Sequence, residues 1–163
     1  MTESVMYHKF NAKEILEMAE QIERNGYQYY TKAANDVQGD DIKTFLLELA
    51  EMEVGHEKMF QEMKEQLTDK EKEDVVFDPN EETAMYLQAL ADSRVFYEKE
   101  IDTSSVIEVL KEAIVAEKDS IVFYLGMKDM VPSDKGKERI DHIIREEMKH
   151  IQVITNQLKR YSA

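Results

Sequence analysis

Residues 145–150 read REEMKH, and 94 positions earlier residues 51–56 read EMEVGH. Each stretch sets a His three residues after a Glu: Glu53 with His56, Glu147 with His150. In an α-helix, positions i and i+3 share a face about one turn apart. Each pair can therefore aim a carboxylate and an imidazole at one point. Glu makes up 23 of the 163 residues, so a single such pair would be weak. The shared register around the two pairs is stronger.

The match extends outward. Glu23 precedes Glu53 by 30 residues, and Glu117 precedes Glu147 by 30. ERNGYQYY at 23–30 aligns with EKDSIVFY at 117–124. Ala19 and Ala113, the small residues Gly26 and Ser120, and Tyr30 and Tyr124 fall in step, as do the apolar Phe60 and Ile154 beyond each His. The chain reads as one domain, 1–163, holding an internal repeat, 11–67 and 104–161, joined by a crossover, 68–103.

Helical periodicity predicts an all-α fold. The first helix runs from about Asn11, which caps it with Glu14, to Asp36. NDVQGDD at 35–41 is a turn, with Asp40 or Asp41 capping a second helix to about Leu67. TDKEKEDVVFDPN at 68–80 reads as a surface loop, followed by a shorter helix over 81–98. DTSS at 102–105 caps a helix to about Met130, Pro132 breaks it, and Ser133 or Asp134 caps the last helix to about Tyr161. Short turns make each pair of long helices an antiparallel hairpin. An 18-residue helix spans about 27 Å, enough to carry the crossover along most of the bundle. A four-helix bundle follows, with two hairpins, a long crossover and a short fifth helix.

Composition excludes much. A net charge of −14 would be repelled by nucleic acid and anionic membranes. With no Cys there is no disulfide, thiolate metal site or cysteine nucleophile. No stretch suggests a signal peptide or a membrane span, and a cytoplasmic location is expected.

The bundle would bring Glu23, Glu53, His56, Glu117, Glu147 and His150 together at its middle. Four buried carboxylates are unreasonable without a compensating charge. Two divalent ions supply +4 against −4. An oxygen and nitrogen donor set without sulfur suits Fe or Mn, with Zn as an alternative. Glu17, Glu51, Glu57, Glu62 and Glu146 read as solvated-face residues, and His8 and His142 as surface residues. Tyr27, Tyr86 and Tyr97 read as packing residues, and the ten Met mostly as core filler.

The set of two Glu and two Glu-x-x-His matches a pattern known from ferritin-like di-iron and di-manganese bundles. At ERNGYQYY with EMEVGH, and EKDSIVFY with REEMKH, the sequence resembles the rubrerythrin branch of the ferritin-like family over nearly its whole length. The resemblance implies that Glu53 and Glu147 bridge two iron ions. Glu23, Glu117, His56 and His150 would be terminal ligands, and Tyr30 and Tyr124 tyrosines that hydrogen-bond to ligands. Rubrerythrins proper also carry a four-Cys rubredoxin-type iron site, absent here, and a second Glu one turn from the first in the third helix. Those places are Ile114 and Ser120, so that family's redox-linked ligand exchange is not carried over. By pseudo-symmetry Glu20 is a candidate seventh ligand.

The resulting expectation is oxidation of ferrous iron by hydrogen peroxide or dioxygen, with an external electron-donor protein. A homodimer is compatible with this reading. The alternatives are a metal-binding protein without turnover, manganese catalase-like activity, and a metal-free interaction module, which the matched ligands disfavour.

Overall fold

The computed structural model describes residues 10–74, 82–92 and 102–163. α1, Ala12–Asp36, opens with the expected capping box, in which the Asn11 side chain accepts from Glu14 N and Glu14 accepts from Asn11 N. Its buried positions Ile15, Ala19, Ile22, Glu23, Tyr30 and Ala33 keep helical spacing. α2, Asp40–Glu65, begins differently from the expectation. Its N-cap is Gly39, at φ 110°, with no side-chain cap. The tight turn needs a left-handed residue, which Gly provides at little cost. Asp40 and Asp41 lie in the first helical turn, where their charge suits the helix dipole.

The expectation of a surface loop over 68–80 is also corrected over 68–74, while 75–80 lie outside the described residues. Thr68 and Glu71 form a second capping box that starts a five-residue helix, α3, Asp69–Glu73. α4, Glu82–Asp92, lies within the predicted 81–98 helix, whose remainder is outside the described residues. Leu87 buries itself in the core, and Tyr86 rests against Gly126 and donates to the Val122 carbonyl. Tyr86 therefore does pack, as its sequence context implied.

α5, Val106–Met127, is capped by Ser105 and ends in a 3-10 turn, Lys128–Met130. After Pro132, the Ser133 side chain accepts from Gly136 N and starts α6, Asp134–Ser162. α1 packs along α2 and α5 along α6, while contacts of α1 with α5 and α2 with α6 close the bundle. Among the described residues, no helix is long and apolar enough to cross a membrane.

The core comes in two apolar clusters. One includes Leu16, Ile22, Phe60, Phe123, Met127 and Ile143; the other includes Ala33, Leu46, Leu49, Leu110, Ala113 and Ile154. Between them along the four long helices fall the buried Glu23, Glu53, His56, Glu117, Glu147 and His150. Each buried large apolar side chain contributes about 1.5–3 kcal/mol. The flanking clusters can thus offset a polar layer whose burial costs several kcal/mol per ion.

Candidate metal centre

Each long helix contributes to this layer: Glu23 from α1, Glu53 and His56 from α2, Glu117 from α5, Glu147 and His150 from α6. All six are at most 5% exposed. They form two overlapping groups, Glu23, Glu53, His56, Glu147 and Glu53, Glu117, Glu147, His150, whose ligand atoms lie within 4.8 Å of one another. Glu53 and Glu147 belong to both groups. Those are the two residues that the resemblance marks as bridging.

Contacts inside the layer are close but poorly satisfied. His56 Nδ1 lies 2.9 Å from Glu147 Oε1 and 3.5 Å from Glu23 Oε2. His150 Nδ1 lies 3.0 Å from Glu147 Oε2 and 3.5 Å from both Glu53 and Glu117. The imidazoles stack 5.7 Å apart. Yet Glu23 Oε2, Glu53 Oε1, both Glu147 oxygens and both Nδ1 atoms lack an aligned hydrogen bond among the described residues. Buried polar atoms are rarely left this way. A cluster of inward-facing oxygens and nitrogens without partners is the donor set a metal pair needs.

Protonation records the same strain. Burial, then the neighbouring Glu147, raises Glu23 to about 7. Burial, then Glu117 and Glu53, raises Glu147 to about 8. Glu53 is pushed well up by burial, Glu23 and Glu117. Burial would raise Glu117 too, but its contacts with Glu147, His150 and Tyr30 hold it below the usual carboxylate value. Burial would lower both histidines, but adjacent carboxylates override it and push each to about 12. Protons thus do, incompletely, what divalent cations would do better.

Tyr30 and Tyr124 are buried and bond across the bundle. Tyr30 donates to Glu117 at 2.5 Å, and Tyr124 donates to Glu23. Gly26 lies against Glu53: a Cβ there would sit 2.6 Å from Glu53 Oε2. Glu20 is buried too, but its carboxylate lies 2.8 Å from Lys64 Nζ and 3.9 Å from Arg24, outside both groups of four.

Two residues expected on the solvated face are partly buried and partnered instead. Glu146 is not a solvated-face residue: it is half-buried, with Oε2 2.6 Å from His56 Nε2 and Oε1 3.2 Å from the exposed His142 Nε2. The i,i+4 spacing to His142 lies within α6, but the closer partner, His56, comes from α2. Glu57 likewise is half-buried, held by Arg24 at 2.8 Å. His8 and Tyr97 lie outside the described residues.

Four helices around a buried layer of carboxylates and imidazoles define a ferritin-like bundle. The rubrerythrin family model matches residues 14–158, and the chain belongs to that family. A crystal structure of a Thermotoga maritima protein, assigned as ferritin-like and diiron-carboxylate, superposes with a TM-score of 0.69 at 23% identity, covering 94% of this chain and 98% of that one. At that identity the likeness establishes the fold. No curated protein matches the chain.

Proposed function

We propose that this chain is a dinuclear metal protein that oxidises ferrous iron with hydrogen peroxide or dioxygen, in a peroxide-scavenging or ferroxidase role. The observation that carries this reading is the pair of overlapping ligand groups sharing Glu53 and Glu147. Glu23 and His56 would serve one ion, Glu117 and His150 the other, and the shared carboxylates both. Iron fits the oxygen and nitrogen donors; manganese and zinc accept the same set. When bound, two ferrous ions would supply the two electrons that one peroxide takes up.

The protein's own groups hold the site ready. Tyr30 and Tyr124 restrain Glu117 and Glu23. Burial, then the nearby carboxylates, keeps both phenols well above their ordinary pKa, so they remain hydrogen-bond donors at neutral pH. The apolar clusters on either side exclude water, which strengthens every charge interaction between them. The absence of Gly26 Cβ leaves the Glu53 carboxylate its space.

The chain has no cysteine with which to hold a built-in iron relay. Electrons would come from an external donor protein. A net charge of −14 suits a donor with a basic patch. The cytoplasm is the proposed location.

Stopped-flow absorption of the anaerobically ferrous-loaded protein, mixed separately with peroxide and oxygen, tests the reading. Rapid oxidation of about two irons per chain is expected. No oxidation faster than that of free ferrous ion would leave a metal-holding protein without turnover.

A further inference from the structure

His56 and His150 occupy matching places in the sequence register and different places chemically. Each turns Nδ1 toward Glu147, at 2.9 and 3.0 Å. Their far nitrogens differ. His56 Nε2 lies 2.6 Å from Glu146 Oε2. His150 Nε2 is buried and has no hydrogen-bond partner among the described residues. The register explains the difference: Glu146 moved back by the 94-residue offset falls on Met52 (146 − 94 = 52), which is 44% exposed. A thioether is a weak acceptor, and this one faces solvent.

We infer that Glu146 is a positioning residue for His56, and that it makes the two metal positions unequal, the His56 position filling first. The inference rests on the dinuclear reading of the site. A neutral imidazole carries one N–H and one lone pair. A carboxylate on Nε2 accepts, so it places the proton there and turns the Nδ1 lone pair toward Glu23, Glu53 and Glu147. The same bond fixes the ring and raises its basicity as a ligand. For His150 to present its Nδ1 lone pair, Nε2–H must stay buried without an acceptor, an arrangement that carries a desolvation cost. His142, on the other oxygen of Glu146, anchors that carboxylate from the surface side.

Anaerobic titration of the metal-free full chain with cobalt(II), followed by calorimetry and by visible absorption, tests this without any turnover. The wild-type chain should bind two ions in two resolved steps. Glu146→Ala should weaken the tighter step by about 10–100-fold and leave the weaker one in place. Glu146→Gln, whose amide oxygen can still accept from Nε2–H, should recover most of the loss. Met52→Glu supplies His150 with a carboxylate at the matching position and should tighten the weaker step, so that the two converge. This second variant alters an exposed residue and remains informative should Glu146→Ala fold poorly. Two equal steps in the wild-type chain, or loss from both steps alike in Glu146→Ala, would overturn the inference and leave the dinuclear reading standing. A wild-type chain that binds fewer than two ions would overturn both.

Discussion

The Tyr30 phenol on α1 donates a 2.5 Å hydrogen bond to Oε1 of Glu117 on α5, across 87 residues of sequence. Tyr124 on α5 donates to Glu23 on α1 in return. The tyrosine of each hairpin thus steadies a carboxylate of the other, joining the hairpins through the layer they enclose. Tyr30→Phe leaves Glu117 buried with one donor fewer, a change that costs roughly 1–3 kcal/mol. The metal-free protein should melt a few degrees lower, at about 2–4 °C per kcal/mol for a chain of this size. The Glu117 carboxyl should also take up a proton more readily, so metal affinity should fall more at pH 6 than at pH 8.

Metal should stabilise the fold by mass action. At a free concentration 100 times the dissociation constant the gain is about 2.7 kcal/mol. Metal-loaded protein should therefore melt above chelated protein at neutral pH, in paired calorimetric scans. Glu53→Gln should shrink that difference, because Glu53 belongs to both ligand groups. It should also raise the melting temperature of the metal-free form, because it removes a carboxyl whose charged form is disfavoured by burial, then by Glu23 and Glu117. Coincident melts of chelated and loaded wild-type protein would count against a buried metal site.

The pH dependence of the metal-free fold has a definite sign. Glu23 and Glu147 rise from 4.5 to about 7 and about 8, so the folded chain holds protons that the unfolded chain has released. Their contribution is complete below about pH 4.5 and is lost as pH climbs through 7 and 8. His56 and His150, raised from 6.5 to about 12, act in the same direction above pH 6.5. Glu117, which is lowered, opposes them only below its ordinary value. Stability without metal should decline from pH 5 to pH 9, whereas stabilisation by metal, which displaces those protons, should grow. Denaturant melts across that range, with chelator and with metal, check both slopes.

Gly26→Ala separates helix stability from site geometry. Replacing a mid-helix Gly by Ala gains about 1 kcal/mol in propensity. The new Cβ would fall 2.6 Å from Glu53 Oε2 and 3.2 Å from its Cδ, so the carboxylate must move. The metal-free variant should fold at least as well as wild type. Its calorimetric metal affinity should drop.

Absent cysteines set the expectation for turnover. Ferrous-loaded protein should show one rapid oxidation with peroxide and then stop until a reductant protein is added. Re-reduction by a basic donor should slow as salt screens the attraction. Continued peroxide loss without donor or excess ferrous iron would instead favour manganese and a catalase-like reaction.

Much of this molecule was legible in one dimension because helices are local. Asn11 with Glu14, Ser105 and Ser133 cap helices through contacts three residues away, so spacing alone locates them. Glu53 with His56, and Glu147 with His150, share faces because a helix turns 3.6 residues at a time. Thr68 with Glu71 carries the same spacing, masked by the run of charges around it. What the sequence could not determine lies between helices. Whether Glu146 meets solvent or His56, whether Glu20 joins the layer or turns to Lys64, and which carboxylate each tyrosine holds depend on how α1, α2, α5 and α6 rotate against one another. That rotation is set by packing of the whole apolar core, and no spacing within a single helix encodes it.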